Sequence, residues 1–469
     1  MAQRFINIDR DTPMLLPPDM RDWLPEDHMV HFILDVVDRS DTSAFSVNVR
    51  GTGSKQYPPS MLLALLVYCY STGRFSSRVI EEASWCDVAV RYICAGTHPD
   101  HDTICTFRRV NRKAFEQFFV HVLEVAAQSG VLKKVGTVSV DGTKIHANAS
   151  KHSAVSYGHA VKMLEQLENE VAALTEKAEQ CDGSEKQDCA FNLPDEIARR
   201  EERKARIEEA MAVIESRHAE KLAARKEEYE QKVRARDAAR KAGKKPRGPE
   251  PKEPEQTTPD PKDQYNFTDP QSRIMKAGNA GHFEQCYNAQ AAVETQSMLI
   301  VSNHVSDRPN DKLELLPSLD AAAANVFKIS GVLADTGYYS EANVGGCEER
   351  GADAYLAVGK QSHGILLETI LGTAPEPELS EDASTKERMA HKLKSPEGAE
   401  LYGLRKQTVE PVFGIIKQCM RFRQFLMRGK ENVAGEWNLV CTAYNLKRTF
   451  NLIRSGAATA LSAGLAESA

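Results

Sequence analysis

Between residues 155 and 263 this chain reads like a different protein, and that stretch divides the rest of the sequence into two parts. Its last portion, GKKPRGPEPKEPEQTTPDPKD at residues 243–263, is too rich in proline and charge to bury anything and reads as a linker. Ahead of it, Val161, Leu164, Leu167, Val171 and Leu174 recur at three- and four-residue steps amid Glu and Lys. Ile207, Met211, Ile214 and His218 continue that spacing in a second segment that begins after Pro194-Asp195. The pattern predicts two antiparallel helices, or a coiled coil that pairs with a second subunit. A helix of about 25 residues extends about 37 Å, so such an arm projects from whatever body carries it.

The flanking segments carry that body. On one side, Val138 and Val140 alternate with Thr137 and Ser139, a strand over Gly136–Val140 that runs into the turn-forming pair Asp141-Gly142. On the other side, strand patterns cover Gln285–Val293, Met298–Asn303, Ile329–Ala334 and Ala354–Val358, with a helix near Leu313–Phe327 between them. Strands alternating with helices predict an α/β core with a partly parallel sheet, assembled from both sides of the arm. Helices over Val409–Arg421 and roughly Val433–Ile453 follow, and the small-residue tail at 455–469 is expected to fray. The first 130 or so residues read as helical. Pro58 and Pro59 open an apolar run to Ser71, and further helices are expected over Ser76–Ala95 and Ile104–Gly130. His98, Asp100, His101 and Asp102 in THPDHDT are read as a proline-containing turn, with Asp102 or Thr103 capping the next helix, rather than as a metal site.

Composition excludes several classes. MAQRFINIDRDTP lacks a basic segment followed by an apolar one, so no secretory signal is expected. The longest apolar run, Met61–Tyr70, is about half of the ~20 residues that span a bilayer. The ten cysteines form no C-x-x-C pair, and reduced thiols in the cytosol are the expectation. A net charge of −6 looks wrong for a partner of nucleic acid, but the charge is uneven. Residues 401–454 hold ten Lys or Arg against three Glu, and residues 232–247 hold eight against the single Asp237. Two basic tracts in an acidic chain suggest local contacts with a polyanion.

Two aspartates, Asp141 in VSVDGT and Asp335 in GVLADTGYY, each end an apolar strand. Either alone is a turn former; together, at the carboxyl ends of neighbouring strands, they can share a sheet edge. A third acid lies in YGLRKQTVEPVFGIIK at residues 402–417. Glu410 and Lys417 are seven residues apart, two helical turns, while Val409, Val412, Phe413 and Ile416 form the stripe that docks the helix. A carboxylate and an ammonium on one ridge suit a metal ligand beside a phosphate contact. His146 and His152, soon after Asp141, are weaker metal candidates.

At this point the sequence resembles the DDE transposases of bacterial insertion sequences. Their C-terminal signature, Y-x2-R-x3-E-x6-K, is met by Tyr402, Arg405, Glu410 and Lys417, although four residues rather than three separate Arg405 from Glu410. The likeness extends to HPDHDTICTFRR, VSVDGTKIHANASKH, YNAQAAVE at 287–294, LADTGYYS, and RFRQFLMRGKENVAGEWNLVCTAYNLKR after the signature helix. It implies an RNase H-like mixed sheet flanked by helices, built from residues 131–154 and 264–454. An all-helical domain at 1–130 would serve DNA binding or dimerisation, and 155–263 would be an insertion.

The resemblance further implies metal-dependent strand cleavage at element ends and 3′-OH transfer into target DNA. Asp141, Asp335 and Glu410 would hold two ions, Mg²⁺ or Mn²⁺, about 3.5–4 Å apart. Lys417, Arg405 and Tyr402 would contact DNA, with Arg421, Arg423, Arg428 and Lys430 tracking its backbone. Arg108 and Arg109 are further phosphate candidates if the N-terminal helices read inverted repeats, though packing or dimerisation explains those helices equally well. Double-stranded DNA, a homodimer in a synaptic complex, no membrane, and a cytoplasmic, nucleoid-associated location complete the expectation. Two rivals remain: an RNase H-like nuclease without strand transfer, and an inactive derivative kept for DNA binding.

Overall fold

The computed structural model describes residues 19–46, 56–182, 192–241, 250–255, 257–277, 282–325, 328–359 and 383–456. The tail beyond residue 456 and the opening of the linker, 243–249, lie outside the described residues. The chain forms two units, one of residues 1–146 with 287–469 and one of residues 147–286.

The larger unit starts with helices. After α1 (Met29–Asp38), Pro59 opens α2 (Pro59–Ser71), whose residues Leu62 to Ser71 are all buried. A helix apolar on every side belongs at a centre. Each of the next two expected helices breaks in two, giving α3 (Ser77–Cys86), α4 (Val88–Ile93), α5 (His101–Val110) and α6 (Arg112–Gln128). Asp87 makes the first break by accepting the Val90 N–H and capping α4. The cap of α5 is Asp100, not Asp102 or Thr103: its Oδ1 accepts the Thr103 N–H at 2.9 Å and its Oδ2 the Thr103 hydroxyl. His101 pairs with Glu81 at 2.7 Å and His98 stacks on Trp85, so the turn reading of this loop is correct. Strand β1 (Val135–His146) then runs straight through Asp141-Gly142. The expected turn there does not form: β1 continues as a strand between β5 and β7 in the sheet order.

In the smaller unit a short antiparallel pair, β2 (Ala154–Ser156) and β3 (Gln264–Asn266), closes the base of the arm. Between them α7 (Tyr157–Asp182) and α8 (Leu193–Lys241) pack antiparallel. Their contacts run in opposite numerical order: Tyr157 to Glu215, Glu168 to Lys204, Glu170 to Arg200, each at 2.9 Å. Leu167, Ala160, Ile207 and Ala210 form a core with Val155, so the apolar stripes cover one another within a single chain. Val161, expected in the stripe, is exposed. Helix α8 begins at Leu193, which puts Pro194 in its first turn, where a missing N–H costs nothing. Strand β4 (Arg273–Ala277) pairs antiparallel with the first residues of β5 (His282–Glu294).

From Tyr287 on, β5 belongs to the larger unit, followed by β6 (Ile300–Ser306), α9 (Leu315–Ala324), β7 (Lys328–Ala334), α10 (Glu341–Glu349) and β8 (Asp353–Leu356). Helices α11 (Thr385–Lys394), α12 (Pro396–Gly414) and α13 (Lys430–Arg454) complete the unit. The sheet order β6-β5-β1-β7-β8 has β5 antiparallel to β6, and β7 parallel to both β1 and β8. This is the expected α/β fold: a mixed sheet flanked by helices, preceded by an all-helical segment.

Helix α13 holds the unit together. The buried Asn445 side chain accepts the Ile300 N–H at 2.9 Å and donates to the Ile300 carbonyl at 2.8 Å, satisfying backbone of β6. Glu436, fully buried, accepts the N–H groups of Leu426 and Met427. Arg108 lies 3.7 Å from Glu436 and donates to the Tyr70 hydroxyl and the Phe75 carbonyl. Arg108 is therefore not a phosphate contact: an apolar helix surface has taken it inside, and only Arg109 stays exposed. Removing one partner of a buried ion pair strands the other's charge, at about 3–5 kcal/mol. Arg108→Met is expected to lower stability by that amount in urea denaturation, while Arg109→Met changes it by no more than about 0.5 kcal/mol; equal effects would refute the buried pair.

Candidate active site

The register of β1 against β7 decides the site. Val140 pairs with Ala334 as the last rung of that parallel ladder, so the next residues, Asp141 and Asp335, leave the rung side by side. Past it β7 ends. Asp335 enters a one-turn 3₁₀ helix, its Oδ1 accepting the Gly337 N–H at 2.8 Å. Asp141 accepts the N–H of Gly142 at 2.8 Å. Gly142 has to be bare, because a Cβ there would collide with the side chains of Gln290, Asp311 and Asn288.

Tyr402, Arg405 and Glu410 all lie on α12, which starts earlier than expected. Arg405 joins the acids. Its Nη1 lies 3.4 Å from Asp141 Oδ2 and its Nη2 3.1 Å from Glu410 Oε1, with the guanidinium itself largely buried. Arg405 and Glu410, five residues apart, fall outside the usual three- and four-residue helical pairing, and the long arginine spans the extra residue. Tyr402 is partly buried; burial raises its pKa, and the Arg405 guanidinium beside it works against that rise.

Lys417 departs from the expected geometry. Pro411 sits inside α12, where it can give no N–H to the preceding turn, and the helix passes into a π turn over Ile415–Cys419. The wider turn breaks the two-turn register with Glu410, and Lys417 Nζ donates instead to the Lys144 carbonyl of β1 at 3.0 Å. The basic cluster follows directly. Arg421 is exposed with a left-handed backbone (φ 64°), Arg423 donates to the Lys417 carbonyl, Arg428 is exposed, and Lys430 lies 3.3 Å from Asp307. The backbone of His146 bonds that of Arg423 and Phe425, which ties this segment to the end of β1.

The acids crowd one another. Burial first, then the Asp335 charge, pushes Asp141 up to about 7; Arg405 and the Gly142 N–H oppose the rise, and Asp311 adds to it. Among the described residues no three His, Cys, Asp or Glu side chains gather closely enough to hold one metal ion, and neither His146 nor His152 joins such a group. What links Asp141 to Glu410 is the arginine. Sequence reasoning missed Asp311, which sits among Lys144, Asn288 and Gln290 beside Gly142.

Residues 252–446 match the family described as a transposase DDE domain, which takes in Asp335, Arg405, Glu410 and Lys417. Residues 18–110 match the transposase domain DUF772. The chain belongs to the DDE transposases. No curated protein and no solved structure matches it. DDE transposases generally use a divalent metal, and the DDE match begins beyond Asp141, so that residue's place in the site rests on the β1–β7 register. No helix among the described residues of this transposase is long and apolar enough to cross a membrane.

The crowding has a pH signature. An acid whose folded pKa is raised favours folding while protonated, and that contribution fades as pH climbs from about 4 to about 7. In EDTA the Asp141→Asn variant is therefore expected to melt at a higher temperature than the parent at pH 8, with the gap closing near pH 4. A gap that is constant across this range in thermal melts would contradict the buried, crowded carboxyl.

Proposed function

We propose that this transposase cuts DNA strands at the ends of its element and joins the freed 3′-OH to target DNA, with Asp141, Asp335 and Glu410 as the carboxylates of the reaction centre. The single observation that carries this reading is the end of the β1–β7 ladder, where Asp141 and Asp335 emerge together with Glu410 reached through Arg405. The donors are all carboxylate oxygens, the ligand type of Mg²⁺ or Mn²⁺, and burial followed by the Asp335 charge raises the proton affinity of Asp141. Asp141, Asp335 and Glu410 would hold two such ions, which when bound would supply activation of a water or 3′-hydroxyl and stabilisation of the leaving oxygen.

The chain's own groups do the rest. Arg405, poised between Asp141 and Glu410, neutralises part of their charge in the free protein and is placed to turn to a DNA phosphate. Lys417 brings a second cation against β1 at Lys144, three residues past Asp141. Tyr402 backs Arg405, so packing is its main role. Exposed Arg421, Arg423 and Arg428, with the half-buried Lys430, form the path on which the duplex backbone runs away from the centre. In this reading residues 131–154 and 264–454 make the catalytic domain, residues 1–130 bind element ends or a second copy, and 155–263 grip DNA or a partner subunit in a dimeric synaptic complex.

Purified protein incubated with element-end duplex and Mg²⁺ is expected to leave specific 3′-OH cuts. These should fall to background in Asp141→Asn, Asp335→Asn and Glu410→Gln while DNA binding persists. Joining of the cut end to a plasmid separates a transposase from a nuclease, and cutting that survives all three substitutions would end the proposal. Each phosphate contact contributes about 0.9 to the log–log salt slope of duplex binding, so Arg423→Ala is expected to flatten that slope by about 0.9; an unchanged slope would take Arg423 off the DNA path.

A further inference from the structure

The YNAQ segment at residues 287–290 has no part in the chemistry described so far, yet two of its side chains are buried with every polar atom engaged. Asn288 and Gln290 stand two apart on β5, hence on one face of the strand, and both are fully buried. Asn288 Nδ2 donates to the Arg308 carbonyl at 3.0 Å and to Asp311 Oδ1 at 2.6 Å. Gln290 Nε2 donates to Asn288 Oδ1 at 3.0 Å and to the same Asp311 Oδ1 at 2.8 Å. Gln290 Oε1 accepts the hydroxyl of Tyr338, which lies in the turn opened by Asp335. Lys144, three residues past Asp141 on β1, places Nζ 3.3 Å from that Asp311 oxygen.

We infer that Asp311 is a positioning residue of the reaction centre. One oxygen of its carboxylate takes donors from β1 and β5, and through Gln290 it also fixes Tyr338. The strand that carries Asp141 and the turn that carries Asp335 are thus referred to a single atom. Both amides have a determined orientation, because reversing either would turn its oxygen onto the acceptors to which it now donates. The other carboxylate oxygen faces the place where a Cβ on Gly337 would lie, 3.9 Å away, and Asp335 Oδ1 flanks that place at 3.0 Å. A side chain at 337 would fill the gap between the two acids. The network therefore sets how far apart Asp141 and Asp335 stand, and it acts through them rather than on DNA.

This inference rests on the reading of Asp141 and Asp335 as paired carboxylates of the centre, and two measurements keep the two claims apart. The first is amide hydrogen exchange on the metal-free protein over residues 138–144 and 335–339. Asp311→Ala is expected to speed exchange in both segments with far-UV circular dichroism unchanged. Asp311→Asn, whose amide oxygen can accept the same three donors, is expected to restore the parent pattern. Fast exchange in neither segment, or in both variants alike, would overturn the positioning role whatever the metal does. The second is Mn²⁺ titration followed by electron paramagnetic resonance. Partners that orient ligands are worth about 10- to 100-fold in metal affinity, so Asp311→Ala is expected to bind Mn²⁺ that much more weakly and Asp311→Asn within about threefold of the parent. An Asp311→Asn protein as weak as Asp311→Ala would mean that the charge itself acts, and positioning would be refuted. A parent that binds no Mn²⁺, or an Asp141→Asn variant that binds it undiminished, would instead sink the proposed metal chemistry and leave the exchange result to decide the role of Asp311.

Discussion

The parallel pairing of β1 with β7 is the constraint on which the rest depends. Its last rung, Val140 against Ala334, converts two acids nearly two hundred residues apart in the chain into neighbours. A slip of one residue would turn one of the two to the opposite face of the sheet, since side chains alternate along a strand. The register is held from several sides. Val138, Val140, Val332 and Leu333 are wholly buried, and the Gln290 amide fills the space that Gly142 leaves open.

The second element of the design is charge management. Asp141, Asp335, Glu410 and Asp311 lie in one region with Arg405 and Lys144 as their nearest cations. Burial and mutual repulsion make this arrangement costly until more positive charge arrives, and the raised proton affinity of Asp141 is the visible part of that cost. Burial raises Glu436 as well, but there Arg108, two backbone N–H groups and Tyr70 all oppose the rise, whereas at Asp141 the Asp335 charge adds to it.

Much of this was legible in the sequence. Alternation found the strands, the three- and four-residue steps found both helices of the arm, and Asp335 and Glu410 were singled out only when read together with Asp141 and the signature motif. The differences arise where tertiary context overrides local pattern. Asp141-Gly142 looked like a turn, yet β1 continues there as a strand between β5 and β7 in the sheet order. Glu410 and Lys417 looked like one helical ridge, and Pro411 with the π turn moved the lysine to Lys144. Arg108 and Arg109 were indistinguishable as a pair, although one is inside and the other out. Asp311 was invisible for another reason. In SDRPNDK it resembles any acid in a polar loop, and only the donors arriving from two strands set it apart. The spacing of Asn288 and Gln290 was the one available hint.

The interrupted domain has a consequence for synthesis. Strand β1 is made long before β7, and the whole arm emerges from the ribosome between them. During that interval Val138 and Val140 lack their eventual partner, while α7 and α8 close on each other through contacts near in sequence and form early. Glu410 and the Glu436 anchor come later still. A chain arrested just before α13 would already hold all three acids but would lack Asn445 and Glu436, so the carboxylates are made before the helix whose side chains anchor β6 and the segment after the π turn.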